Sequence, residues 1–360
     1  MPRYKLTIEY DGTDFCGWQK QEPFAPMEPN EAGATPGHKA ELCGVHAGTD
    51  VHAAAEDIGV REGETRSRVA LRTVQHVVER AVREVVREPV VLMGASRTDS
   101  GVHARGQVAA FTCSGDEPLR ARSASEGLAV PIAEEHVAEV PSLALRARKD
   151  EDGLTRGMGW PISRGADRLL RAINGRLPED VQVVAAEVTT PTFNPIGDAK
   201  SKAYSYTLCV SPPPPTGLSL RPMWNRKYVQ QIWGRLDVAA MNEAAKRIVG
   251  EHDFAAFAAA GHGRLSTVRT VFSCEVTDVT SGGDARLGHG DADDARVLRI
   301  DISGSGFLYN MVRIISGTLV EVGRGKMTAA DVAAAIQSKD RRNAGPTLPG
   351  TGLCLEWIKY

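Results

Sequence analysis

A polar loop between two strand-like apolar segments carries the residues best suited to chemistry. Residues 94–111 read GASRTDSGVHARGQVAAF. Arg97 and Asp99 lie two positions apart, so they share a face on an extended segment. His103 and Arg105 follow closely, and nearby cations favour the charged form of a carboxyl group. An ionised Asp99 in a basic cleft can act as a nucleophile or base towards a polyanionic substrate.

The same loop also has a purely structural interpretation. Asp99, Ser100 and Gly101 are favourable turn residues, because Asp can bond its own backbone two positions on and Gly accommodates a positive φ. Composition alone favours such a turn, and a turn does not exclude a catalytic carboxylate. The residues by themselves therefore leave both interpretations open.

The order of residues in this loop resembles the signature of the tRNA pseudouridine synthase A family, whose usual form is close to AGRTDAGVHAxGQVxxF. The matching positions are Arg97, Thr98, Asp99, Gly101, Val102, His103, Gly106, Gln107 and Phe111. Ser96 and Ser100 depart from the pattern, since they stand where it has Gly and Ala. The resemblance implies that Asp99 is the catalytic aspartate.

A second segment, residues 10–21, is similar to the family's YDGxxFxGWQxQ. It contains Trp18, which is either a core residue at a strand end or, as the resemblance implies, a residue beside the cleft in contact with RNA; one Trp can do both. The segment over 266–270 is similar to the family's SxxRTI and makes Arg269 a phosphate contact. The implied substrate-binding residues are Trp18, Gln19, Arg97, His103, Arg105 and Arg269.

Two further segments complete the implied site. AYSY resembles the family's RxYRY, whose first Tyr stacks against the target uracil, which makes Tyr204 the stacking residue. Tyr206 shares its face of the strand and is interpreted as core. FLYNMVRIISG resembles FLxxMVRxxxG and places Arg313 in an apolar helix. A buried Arg needs a partner, either a carboxylate of its own half or, as the resemblance implies, the catalytic Asp99.

Periodicity predicts the same order of elements twice. With two expected insertions set aside, at about 22–70 and 115–163, residues 1–190 read as strand, helix, strand, strand, helix, strand, and residues 200–360 repeat that order. The prediction is an α+β protein of two ferredoxin-like halves, the pseudouridine synthase fold, around a central basic cleft. The first insertion is acidic and weakly periodic, so we expect a flexible or loosely folded loop there.

Four helix starts are predicted from capping residues. Thr73, Ser163 and Asp237 each precede an apolar helical stripe, and their side-chain oxygens can accept from the first free backbone N–H groups of a helix. Thr328 with Asp331 three positions later has the form of a capping box.

Charge is distributed unevenly along the chain. The formal net charge is −2, but residues 22–65 carry −7 and residues 281–295 carry −3, which leaves +8 on the remainder. A basic body of this kind suits an RNA-binding surface. The six cysteines are scattered, with no CxxC pair; this predicts reduced, mostly buried thiols and gives no support for a zinc site.

Hydropathy argues against a membrane protein. No apolar run approaches the roughly 20 residues needed to span a bilayer, and the first residues enter a strand pattern without the apolar core of a signal peptide. We therefore expect a cytoplasmic protein with no membrane partner.

The resemblance implies isomerisation of uridine to pseudouridine at about positions 38–40 of the tRNA anticodon arm. Asp99 would attack the sugar C1′ or the base C6, and Tyr204 is one candidate for removing the C5 proton. No cofactor or metal is expected, because the carboxylate supplies the nucleophile. The resemblance also implies a homodimer, with one tRNA spanning both subunits.

Two other functions compete with this one. The first is a non-catalytic tRNA-binding protein or RNA chaperone that kept the fold; an intact Asp99, Tyr204 and Arg313 argue against it. The second is a glycosidase that uses Asp99, which is weaker because no second carboxylate is clearly placed to act as the partner acid.

Overall fold

The first half of the chain forms a small sheet with two helices. The computed structural model describes residues 1–20, 55–57, 69–115, 158–211, 225–259, 266–280 and 296–360. The elements of the first half are β1 (Arg3–Tyr10), β2 (Ala55–Asp57), β3 (Val69–Leu71), α1 (Val74–Val86), β4 (Met93–Gly94), β5 (His103–Thr112), α2 (Ala166–Asn174) and β6 (Val181–Thr189). In space the main strands run β6-β1-β5-β4, which is the arrangement of a ferredoxin-like βαββαβ unit.

The second half repeats this arrangement. Its elements are β7 (Ser201–Ser211), β8 (Gln230–Trp233), α3 (Val238–Ala245), β9 (Gly250–Asp253), β10 (Val268–Asp278), β11 (Arg296–Gly304), α4 (Met311–Gly323), α5 (Ala329–Ser338) and β12 (Leu353–Lys359). Its main strands run β12-β7-β11-β10 in space, so the fourth, first, third and second strands again lie side by side. β8 adds to β7 in parallel, and β9 adds to β10 antiparallel.

The two halves join edge to edge. β5 and β12 pair in parallel, with His103 opposite Cys354 and Ala104 opposite Leu355. One sheet of ten strands therefore passes through both halves of the described chain, and the buried apolar side chains form one continuous cluster. The prediction of an α+β protein with two ferredoxin-like halves is confirmed. The central basic cleft and the domain boundaries stay predictions.

One face of the sheet carries most of the core. In β1 the side chains of Tyr4, Leu6, Ile8 and Tyr10 are buried and those between them are partly exposed. β11 alternates in the same way. Because successive strand side chains point to opposite faces, each strand presents one apolar row, and these rows pack in one cluster with the inner sides of the helices.

Three of the four predicted helix caps are confirmed. Thr73, Asp237 and Thr328 each accept a hydrogen bond at the start of a helix, and Thr328 forms its capping box with Asp331. The prediction for Ser163 is wrong: this residue lies in a short 3-10 turn over Ile162–Arg164. The helix begins after Gly165, whose φ of +83° is easily reached only by glycine.

The described parts of the two expected insertions are small. Within the first, Ala55–Asp57 pairs with Val69–Leu71 as a separate two-stranded antiparallel sheet. The rest of the prediction for 22–68, and that for residues 116–157, lies outside the described residues.

Two further predictions concern cysteines and membranes. Cys113, Cys209, Cys274 and Cys354 are free thiols, as predicted. Cys16 is disulfide-bonded, so the prediction is wrong for this residue. Among the helices of the described ranges, none has both the length and the apolar character to cross a bilayer.

Candidate active site

The loop that carries Asp99 is held by the strands on either side of it. The Ala95 N–H donates to the carbonyl of Val108 at 2.8 Å. The buried side-chain amide of Gln107 makes two hydrogen bonds to the backbone of Ser96. Nε2 donates to the Ser96 carbonyl at 2.6 Å, and Oε1 accepts from the Ser96 N–H at 3.2 Å. Because Gln107 lies inside β5, the start of the loop has little freedom to move.

The backbone around Asp99 is a turn, as the structural interpretation requires. The Val102 N–H donates to the Asp99 carbonyl at 3.2 Å, and Gly101 has a φ of +74°. These contacts account for the main chain and leave the Asp99 carboxylate to make contacts of its own.

Trp18 supports the loop from below. Its backbone N–H donates to the Thr98 carbonyl at 3.0 Å. Its ring lies against Tyr10, whose hydroxyl bonds to Thr98 Oγ1 at 2.8 Å. The side chain is 2% exposed, so Trp18 lies in the core. Gln19, next in the chain, is exposed.

Arg313 in the first turn of α4 reaches across to the loop. Its Nη1 donates to Asp99 Oδ2 at 3.1 Å. The Arg313 side chain is 18% exposed and that of Asp99 is 28% exposed, so the pair is largely shielded from water. The partner of Arg313 is therefore Asp99 of the first half, and not a carboxylate of its own half.

Burial and charge act in opposite directions on Asp99. Loss of solvent raises its pKa, while the charge and hydrogen bond of Arg313 lower it, and the net effect is a pKa above the usual value for Asp. Arg313 is the one cation that contacts this carboxylate among the residues the structure describes. His103 and Arg105 contact other groups: His103 lies against the Lys227 carbonyl, and Arg105 faces Glu356.

Tyr204 lies on β7 beside the same loop. Its hydroxyl bonds to Ser96 Oγ at 2.9 Å, and its ring meets Phe307 edge to face, with 5.3 Å between centroids. Burial raises the pKa of Tyr204 to about 12, with a further contribution from the negative charge of Asp99 and an opposing one from the Ser96 hydrogen bond. A carboxylate, a guanidinium and a neutral aromatic ring thus meet from the β4–β5 loop, α4 and β7.

Comparison with known proteins identifies the family. A family model described as tRNA pseudouridine synthase matches residues 244–360. The chain is 32% identical over 360 residues to tRNA pseudouridine synthase A of Geobacter sulfurreducens, with all of both chains covered. It is 36% identical over 362 residues to the protein of the same name from Solidesulfovibrio magneticus, covering 100% of this chain and 92% of that one.

The chain belongs to the tRNA pseudouridine synthase A family. Its members are isomerases, and the full-length relatives extend the match to the Asp99 loop, which lies outside the residues that the family model covers.

His103 contacts groups other than the Asp99 carboxylate. Nε2 is 2.8 Å from the Lys227 carbonyl, and Nδ1 is 3.0 Å from the Gly12 nitrogen and 3.2 Å from Asp11 Oδ1. The buried His103 therefore connects β5 with a segment of the second half.

The remaining arginines expected to bind substrate are dispersed. Arg97 is exposed beside Asp99 in sequence. Arg105 faces Glu356 on β12, with 3.7 Å between Nη1 and Oε2. Arg269 donates to the carbonyls of Ser266 and Val268 at the start of β10.

Tyr206, interpreted as core, is buried, and its hydroxyl donates to the Pro349 carbonyl at 2.7 Å.

Several residues that hold the site together were not predicted from the sequence. Ser96 and Phe307 contact Tyr204, and Asn310 contacts Arg313. Gln107 in turn holds Ser96. A signal existed for two of them: Ser96 departs from the family pattern, and Asn310 lies three positions before Arg313, which brings the two side chains onto neighbouring positions of one helical turn.

Proposed function

We propose that this protein isomerises uridine to pseudouridine in tRNA, at about positions 38–40 of the anticodon stem-loop, with Asp99 as the nucleophile. The observation that carries the proposal is the Asp99–Arg313 ion pair, at 3.1 Å, beside the buried ring of Tyr204. These groups come from chain segments more than 100 residues apart. Their convergence gives a held carboxylate next to an aromatic surface.

The reaction needs a carboxylate with one oxygen free to attack. Arg313 engages Oδ2 of Asp99, which leaves Oδ1 for the substrate. Asp99 forms a bond to C1′ of the ribose or to C6 of the uracil, the bond between N1 and C1′ breaks, and the uracil turns so that its C5 bonds to C1′. The bond between Asp99 and the substrate breaks as well, which regenerates the carboxylate. C5 then loses its proton and N1 gains one, so the product is an isomer of the substrate. The carboxylate supplies the nucleophile, and no cofactor enters this sequence.

Tyr204 suits stacking better than proton removal. A base at C5 must be deprotonated, and a phenol with a pKa of about 12 is ionised in only about one molecule in 10⁵ at pH 7. The ring of Tyr204, positioned by Phe307 and Ser96, offers an apolar face to a uracil flipped out of an RNA loop.

The first test is pseudouridine mapping on unmodified tRNA. Wild-type protein should convert uridines in the anticodon arm, and Asp99→Asn should give no product while its Kd for tRNA stays within about threefold of wild type, since affinity comes mainly from phosphate contacts. Asp237→Asn is the matched control, because Asn replaces Asp well at a helix N-cap; it should retain activity.

The outcomes separate the competing functions. No product from the wild-type protein, with tight tRNA binding, would favour the non-catalytic RNA-binding protein. Full activity of Asp99→Asn would remove Asp99 as nucleophile while leaving the isomerase activity in place.

We further propose that the protein is a homodimer that binds one tRNA across both subunits. We also propose that it acts in the cytoplasm. The basis for the homodimer and its shared tRNA is the resemblance described under the sequence analysis, which implies both. Light scattering should give twice the mass of one chain, and a monomer at micromolar concentration with full activity would contradict the proposal.

A further inference from the structure

The guanidinium of Arg313 has three acceptors, and Asp99 is only one of them. Nε donates to the Leu348 carbonyl at 2.6 Å. Nη1 donates one hydrogen to Asp99 Oδ2 at 3.1 Å and the other to Asn310 Oδ1 at 2.7 Å. Because the guanidinium is planar and its donors are rigidly spaced, three acceptors in different directions determine its orientation.

Asn310 has an unusual position for a residue that begins a helix. Residues at an N-cap normally have an extended backbone and turn their side chain to the free N–H groups of the first turn. Asn310 instead has φ 60° and ψ 6°, and its side chain makes no capping hydrogen bond. Asn tolerates this left-handed conformation better than most residues. Its amide is thereby directed to Arg313 instead of to its own helix.

We propose that Asn310 is a positioning residue of the active site: its side-chain oxygen orients the Arg313 guanidinium, which in turn orients the Asp99 carboxylate for attack. This inference rests on the proposed function for its effect on turnover. The geometry itself concerns only residues of this chain, and it predicts a change at Asp99 that can be measured without substrate.

The charged and titratable groups that face this pair are few. Tyr204 from β7 lies close enough to Asp99 for the negative charge of Asp99 to raise the pKa of Tyr204, and Tyr206 lies close to Arg313. Both phenols are neutral at neutral pH, since burial raises the pKa of each. Arg313 Nη1 contacts both Asn310 and Asp99 and so connects residue 310 to the carboxylate.

Two substitutions of Asn310 separate orientation from charge. Asn310→Gly keeps a φ of +60° at no steric cost and removes the acceptor. A hydrogen bond to a charged group is worth about ten- to a hundredfold in an equilibrium constant, so kcat should fall at least about tenfold while KM stays within about twofold. Asn310→Asp keeps the acceptor and adds a negative charge that shares Arg313 with Asp99. Its kcat at high pH should stay nearer to wild type, and its acid limb should move to higher pH.

Arg87→Gly is the matched control. Arg87 also has a positive φ of 58°, at the C-terminal end of α1, so this variant makes the same backbone change away from the site. Its kcat and pH profile should equal those of wild type. The pKa of Asp99, followed by carbon-13 NMR of labelled protein without tRNA, should rise in Asn310→Asp and stay at the wild-type value in Arg87→Gly.

These measurements also show how the inference fails. A wild-type kcat in Asn310→Gly, or an acid limb unchanged in Asn310→Asp, overturns it. A loss of activity in Asn310→Gly that goes with an equal loss in thermal stability and an unchanged Asp99 pKa in Asn310→Asp indicates a merely structural role, and overturns it as well. If wild-type protein makes no pseudouridine, the proposed function fails, while the NMR comparison still decides whether residue 310 acts on Asp99.

Discussion

At the scale of single residues, the negative charge of Asp99 helps to keep Tyr204 neutral. Burial raises the pKa of both, and the negative charge of Asp99 raises that of Tyr204 further, to about 12. Only Asp99 has a guanidinium to oppose the effect of burial. A carboxylate can therefore form beside a ring that stays neutral, which suits a nucleophile next to a stacked base.

The hydrogen bond between Ser96 and Tyr204 should contribute to stability in this chain. A neutral hydrogen bond is worth about 1 kcal/mol net. Ser96→Ala and Tyr204→Phe should therefore each lower the free energy of unfolding, and the double variant should lose about 1 kcal/mol less than the sum of the single losses. Urea denaturation of the four proteins measures this coupling. Strict additivity would mean that the bond contributes nothing.

At the scale of elements, α4 and the segment before β12 form one unit around Arg313. Gly345 donates its N–H to Thr318 Oγ1 at 2.9 Å, and the Leu348 N–H donates to the Arg313 carbonyl at 3.3 Å. Leu348 in return accepts from Arg313 Nε. Backbone groups of a loop thus set the orientation of a helical side chain that reaches Asp99.

Close contact between α4 and this segment requires Gly317. A Cβ at Gly317 would overlap the carbonyl of Pro346, which is backbone and cannot turn away. Gly317→Ala should therefore push the segment outwards, lower the free energy of unfolding by about 1–3 kcal/mol, and reduce kcat because Arg313 loses the Leu348 carbonyl. Denaturation and single-turnover assays measure the two effects.

Gly323→Ala in the same helix is the matched control for that prediction. A Cβ there meets chiefly the flexible side chain of Met241 at 2.8 Å, which can move, and Ala is the better helix former. It should leave activity intact. Equal losses in both variants would show that the fit against Pro346 is unimportant.

At the scale of the whole molecule, the two halves meet at β5 and β12 and again near Asp11. The Asp11 carboxylate of the first half accepts from Tyr228 of the second half at 2.8 Å and from the Thr13 N–H at 3.0 Å. Burial acts to raise the pKa of Asp11, but hydrogen bonds from His103, Thr13 and Tyr228 outweigh it and hold that pKa well below its usual range. The ionised Asp11 carboxylate therefore stabilises the contact between the two halves through its hydrogen bond with Tyr228.

Asp11→Asn should destabilise the protein at neutral pH and less so in acid. Since the pKa of Asp11 is lower in the folded state, its stabilising effect is full above the unfolded pKa of about 4 and declines as pH falls below it. The free energy of unfolding should fall by about 1–3 kcal/mol at pH 7, with a smaller difference near pH 3. Asp14→Asn, a change at an exposed carboxylate whose ion pair with Lys227 is 3.7 Å long, should have little effect at either pH. A pH-independent difference for Asp11→Asn would contradict the argument.

The amino-acid sequence by itself determined the order of elements, most of the helix caps and the family, because periodicity, capping and motif order are local patterns. Asp99, Tyr204 and Arg313 were recognisable for the same reason. Only the tertiary structure decided that Arg313 pairs with Asp99, that Trp18 is buried, and that Arg105 and His103 face other partners. Trp18 packs within the first half, against residues about 80 positions away in the chain. The other contacts join the two halves, which pair through β5 and β12, about 250 residues apart. No local pattern encodes which distant side chains then meet.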